Sequence, residues 1–105
     1  MIEVICIDDS NRPDIIPISH WVKKGKKYHI NYVYKMLVQG GILGVTLCEI
    51  DLMKLNCGYE CFKITRFAID KKDLQALLQL FKDCAEFNEL NLEEMLEDQL
   101  ELVER

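Results

Sequence analysis

From Tyr28 to Val38 the chain alternates: Tyr28, Ile30, Tyr32 and Tyr34 fall on one side of an extended run, and His29, Asn31, Val33 and Lys35 on the other. Successive side chains of a strand point to opposite faces, so this period of two predicts a β-strand. The shorter run from Ile2 to Ile7 alternates around Ile2, Val4 and Cys6 but is apolar at Ile5 and Ile7 as well. It predicts a strand buried on most of both faces. The cluster DDSNRPD ends it and begins a loop that runs through Pro17 to about Ser19, because Pro13 fixes its own φ and turns Arg12 away from helix. Gly25, set between lysines, predicts a turn before the long strand.

Gln39-Gly40-Gly41 predicts a hairpin turn, since glycine reaches positive φ at little steric cost. The next strand is expected over Ile42 to Ile50 and a last one over Ile64 to Ile69, where Ile64 and Arg66 oppose Thr65 and Phe67. Between them, DLMKLNCGYECFK has no regular period and predicts a long loop with one helical turn.

At Asp70 the period changes from two to 3.6. Leu74, Leu77, Leu78, Phe81, Cys84 and Ala85 share one helical face, with Asp70 as N-cap and Ile69 positioned to staple against Leu74. A second helix start stands at Asn91, where Glu94 completes a capping box and Leu90 can meet Met95. Its stripe is Leu92, Met95, Leu96, Leu100 and Val103. The pattern predicts two amphipathic helices broken near Asn88. An isolated helix of about 13 residues is marginal, so the stripe must dock, either on the strands or on another chain.

The predicted fold class is therefore mainly β with C-terminal helices (α+β): a small antiparallel barrel of the Src-homology-3-like kind over residues 1–70, then two amphipathic helices in 71–105, one domain overall. The stretches VICIDDS, PISHWVKKGKKYHI, GGILGVTLCEIDL and FKITRFAI resemble a group of short, uncharacterised proteins of gut bacteria and their phages. The resemblance covers about the first two thirds of the chain and excludes residues 71–105. It implies the barrel, and an accessory role in a phage or mobile element, but no assigned activity. Peptide-binding signalling domains of that fold carry an acidic, aromatic-rich first loop and a paired Trp; here the loop is DDSNRPDIIPISH with Trp21 alone nearby.

Composition narrows the class. A chain of 105 residues is the size of one domain, and 50% apolar with 30% charged residues is the balance of a globular protein. No apolar run approaches the roughly 18 to 20 residues that cross a bilayer, and MIEVICIDDS has acids where a signal peptide starts basic, so a cytoplasmic protein with no membrane partner is expected. Five cysteines (Cys6, Cys48, Cys57, Cys61, Cys84) without framework spacing predict thiols rather than disulfides. The net charge of −5 is uneven: residues 1–70 hold nine Lys/Arg against eight Asp/Glu, and residues 71–105 hold four against ten. This acidity argues against nucleic acid or an anionic membrane on the C-terminal part.

Candidate chemistry is sparse. Asp8 and Asp9 end a strand, where paired carboxylates hold a hard cation in some folds, but turn residues bonding their own backbone account for them better. Cys57 and Cys61 have the separation of half a zinc site, with Cys48, Cys6, His20 and His29 to finish it, yet no matching second pair exists. A cysteine nucleophile needs a base such as His20 or His29, and nothing in the spacing joins them. No enzyme, metal or cofactor is predicted. Lys23, Lys24, Lys26 and Lys27, next to Tyr28 and His29, form the one basic cluster and carry the alternative expectation, a nucleic-acid-associated barrel. The leading expectation is a protein-interaction or accessory module, self-association included, with Trp21, Tyr32, Tyr34, Leu92, Leu96 and Leu100 as candidate contact residues.

Overall fold

The alternating run becomes the longest strand. In a computed structural model, which describes residues 2–36, 42–83 and 92–103 (side chains at 35 and 36 excepted), β2 (Lys27–Met36) pairs antiparallel with β3 (Ile42–Leu47). The Gln39-Gly40-Gly41 turn, Cys84, Ala85, the break near Asn88 and the Asn91 capping box lie outside the described residues.

Strict alternation does not survive along β2. The register shifts between Ile30, opposite Leu47, and Tyr32, opposite Thr46, which leaves Asn31 as the extra residue of a β-bulge. One inserted residue turns every later side chain to the other face. Tyr28 and Ile30 are accordingly buried, but beyond the bulge it is Val33 that enters the core, while Tyr32 stands 61% exposed and Tyr34 is half-buried.

On its other side β2 pairs with β1 (Ile2–Cys6), and β1 pairs with β5 (Phe67–Asp70). This central place explains why β1 is so apolar: Val4 and Cys6 are buried, and Ile2 packs against the core edge. β4 (Phe62–Lys63) pairs only with β3, so the strand order is β4-β3-β2-β1-β5, extended by a sixth strand beyond β5. The predicted strand over Ile64 to Ile69 is thus corrected at its start: Ile64–Arg66 is a 3₁₀ turn. The expected alternation holds only for Ile64, Thr65 and Arg66, because Phe67, placed on the Thr65 face, is buried as well; the chain must there cross from the β3 edge to the β1 edge. In a flat sheet, strands four places apart stand about 19 Å from one another. Three linking residues reach at most about 14 Å even when extended. The sheet is therefore strongly curled, although the described strands do not close it: β4 and β6 end the order unpaired with each other.

Asp70 caps as predicted, but α-helix does not begin directly after it. A 3₁₀ turn, Lys71–Asp73, comes first, and Asp70 Oδ1 accepts the Lys72 N–H at 3.1 Å. α1 (Leu74–Lys82) then buries Leu74, Leu77, Leu78 and Phe81, the predicted face. α2 (Leu92–Gln99) buries Leu92 and Leu96. The stripe does not continue as helix to Val103. Glu101–Val103 is instead β6, parallel to β5 with Ile69 opposite Leu102. Parallel neighbours need a long crossover, and the α1–α2 segment supplies it. The sheet is consequently mixed rather than antiparallel, and residues 71–105 are not a purely helical extension. Leu77, Phe81, Leu96 and Leu100 belong to the same hydrophobic cluster as Val4, Tyr28, Val45 and Phe67. Burying each leucine contributes about 1.5 to 3 kcal/mol, enough to hold α2 on its own chain. Gln99 Oε1 also accepts the Leu43 N–H at 2.7 Å, satisfying β3 on the side where β4 is too short to reach.

Candidate functional site

The loop between β3 and β4 is organised by its own side chains. Asp51 Oδ1 accepts the N–H groups of Met53 (3.1 Å) and Lys54 (3.4 Å), nucleating a 3₁₀ turn over Met53–Leu55. Asn56 ends it in the left-handed region, φ 49°, a conformation asparagine tolerates better than most residues. The turn buries Leu52 and leaves Met53 53% exposed. Large apolar side chains in the open are informative when they cluster at a concavity.

Here they do. Tyr32 and Tyr34, turned outward by the bulge, face this loop across a groove of about 360 Å³ lined also by Asp51, Met53, Glu60 and Phe62. The two tyrosine rings are 6.2 Å apart at an interplanar angle of 39°. Thr46, opposite Tyr32, lines the same groove, and its buried hydroxyl has no hydrogen-bond partner among the described residues. No lysine or arginine lines it among those residues, whereas two carboxylates do.

Leu52 and Phe62 also line a second groove, of about 230 Å³, with Pro13, Trp21, Tyr59 and Arg66. Trp21 is held in place from three directions. Its Nε1–H donates to the Asp9 carbonyl at 2.7 Å, its ring meets Phe62 at 5.4 Å, and the Arg66 guanidinium covers its face at 4.7 Å. Arg66 Nη1 donates in turn to the carbonyls of Ser10 (2.7 Å) and Asp8 (3.2 Å). Cys61 stands in this groove, its thiol pushed up to about 11 by burial and then by the neighbouring Glu60 charge.

Of the residues expected from sequence, Trp21, Tyr32 and Tyr34 come together at these adjoining grooves. Leu92, Leu96 and Leu100 do not. They are 2%, 0% and 2% exposed in the chain's own core, which corrects their reading as contact residues. The four lysines are exposed around Gly25, whose φ of 88° makes the turn. Their aromatic neighbour Tyr28 is buried, its hydroxyl accepting the Lys23 N–H, so it offers no face for a base. Lys27 lies 3.9 Å from Glu3, and Lys24 N–H donates to Asp9.

Asp8 binds the N–H and hydroxyl of Ser10 in its own loop, whereas Asp9 reaches across to accept the Lys24 N–H of the lysine turn. His29 and Cys48 become backbone neighbours (Cys48 N–H to His29 carbonyl, 2.9 Å), and Glu49 reaches back to the His29 N–H at 2.9 Å and to its Nδ1 at 2.6 Å. Burial alone would raise the Glu49 carboxyl, but the His29 hydrogen bonds outweigh it and hold the group below its ordinary range. Cys6, Cys48, Cys57 and Cys61 carry thiols, and no group of three or more metal-ligating side chains assembles among the described residues. Likewise no described helix is long and apolar enough to cross a membrane.

Sequence reasoning missed Asp51, Met53, Tyr59, Glu60, Phe62 and Arg66. The signal that could have found them was a loop without turn-forming composition throughout: LMKL and CGYECF hold large apolar and aromatic side chains that a solvated loop has no use for. Comparisons with family models, with curated proteins and with solved structures found no match.

Proposed function

We propose that this protein is a polypeptide-binding module that receives a segment of a partner protein in the adjoining grooves around Leu52 and Phe62. The observation that carries the reading is that Tyr32, Met53 and Tyr59 (61%, 53% and 45% exposed) all line the two adjoining concavities that share Leu52 and Phe62, whereas the other exposed large apolar residues described, Ile15 and Ile18, line neither. Aromatic side chains supply large contact area at low entropic cost, which is why they dominate interface hot spots.

The strand order and the three-residue 3₁₀ link between β4 and β5 support the small Src-homology-3-like barrel as the scaffold, with α1, α2 and β6 added at its end. An accessory role in a phage or mobile element fits a binding module of this size. The nucleic-acid alternative is less well supported, because the lysine turn is interleaved with Glu3 and Asp9 and its aromatic neighbour is buried.

The test is selection of a displayed random-peptide library on the immobilised protein, with Tyr32→Ala and Met53→Ala as controls. Both side chains are more than half exposed, so the fold should persist, and a matching thermal melt verifies it. Peptides enriched on the parent and lost on both substituted proteins support the reading. Equal enrichment on all three proteins, or none on any, overturns it.

A further inference from the structure

We infer that the Tyr32–Tyr34 groove takes a cationic side chain, arginine or lysine, of the bound segment; this rests on the polypeptide-binding reading above. A cation is favoured by two features of one concavity, its tyrosine rings and its carboxylates. Two tyrosine rings 6.2 Å apart line the groove, and a cation seated over a tyrosine face within about 6 Å of its centroid is attracted to it. Asp51 and Glu60 line the same space, and no lysine or arginine lines it among the described residues, so a positive group meets charge of one sign only. Glu60 is exposed and has no hydrogen-bond or ion-pair partner among the described residues, so its carboxylate is available to an incoming donor.

The second groove differs in sign. Lys63 and Arg66 line it, which disfavours a second cation there, while Pro13, Ile16, Leu52 and Phe62 offer apolar surface to an apolar side chain. A segment lying across Leu52 and Phe62 would therefore place a basic residue against Tyr32 and an apolar one against Trp21. A phosphate-bearing ligand is excluded from the first groove by the two carboxylates.

The same displayed library separates this inference from the reading beneath it, with Glu60→Gln added. This substitution keeps the side-chain shape and removes the charge. Synthetic peptides taken from the selection should contain arginine or lysine above the library frequency. Their binding should weaken about two- to fivefold on Glu60→Gln at low salt, and the difference should shrink at high salt as the charges are screened. Peptides that depend on Tyr32 but show no basic enrichment, and bind Glu60→Gln equally, overturn the cation and leave the polypeptide reading standing. Failure to enrich any Tyr32-dependent peptide overturns both.

Discussion

The Arg66 guanidinium lies 4.7 Å above the centre of the Trp21 indole and donates to two carbonyls of the loop that precedes it, those of Asp8 and Ser10. The Arg66 carbonyl accepts from Ile7 and Asp8 N–H as well, so one residue of the 3₁₀ turn holds the early loop by both its backbone and its side chain. A planar guanidinium can stack on a ring and donate in its own plane at once; an ammonium cannot. Arg66→Ala is expected to cost about 2 to 3 kcal/mol in urea unfolding, and Arg66→Lys to recover less than half of that. Equal stability of the lysine variant and the parent would show that stacking contributes nothing.

The leucine stripe of α2 is core, so truncation should unfold the chain. Leu96 is fully buried, and its replacement by Ala should cost about 3 kcal/mol through lost burial and a residual cavity. A chain ended at residue 89 loses Leu92, Leu96, Leu100 and the β6 partner of β5 together, and should lose its cooperative thermal transition. A truncated chain that melts like the parent would refute the shared core.

Acid should weaken the fold through carboxylates held below their ordinary range. Asp8 is lowered by the Ser10 hydroxyl and then by the Ser10 N–H, and Glu49 by His29 against its own burial. A depressed carboxyl stabilises the folded state above its unfolded value, about 4 for these residues, and that contribution disappears as pH falls through the folded value. Stability should be flat from neutrality to about pH 5 and then decline, and Glu49→Gln should make the decline shallower. A Glu49→Gln variant with an unchanged acid limb would remove Glu49 from this account.

Burial should also protect one thiol beside the second groove. With its pKa pushed up to about 11, Cys61 holds roughly a hundredfold less thiolate at neutral pH than an unburied cysteine. Iodoacetamide followed by mass mapping should label Cys61 far more slowly in the native protein than in urea. Labelling at the unfolded rate would mean that burial does not hold the thiol protonated.

Which parts of this architecture were legible from the chain depends on the range of the forces involved. The change of period at Asp70, the apolar face of α1 and the extended character of β2 each arise between residues a few positions apart, and local pattern reports them directly. The β-bulge at Asn31 is not local. It matches β2 to β3 and to the curl of the sheet, and by that one inserted residue it sends Tyr32 and Tyr34 outward, away from the face they would share with Tyr28 under strict alternation.

The same division separates strand from turn at Ile64–Arg66, and helix from strand at Val103. Alternating burial is visible in the first, but a corner between sheet edges buries the same side chains as a strand does. At Val103 the helical stripe runs on in sequence, yet β5 offers an open edge whose N–H and C=O groups pair with Glu101–Val103 instead.

Trp21, Tyr32 and Tyr34 could be named from residue type alone, because aromatic side chains are chemically conspicuous wherever they fall. Their assembly with Asp51, Met53, Glu60 and Arg66 required the curled sheet, which brings a loop and a turn far apart in sequence to one surface. Neighbours along the chain sufficed to mark the change of period at Asp70 and the apolar helix faces, because those patterns are local. Which face each strand residue meets, the burial of the α2 leucines and the place of a groove depend on register and on contacts between distant segments, so they emerge only on folding.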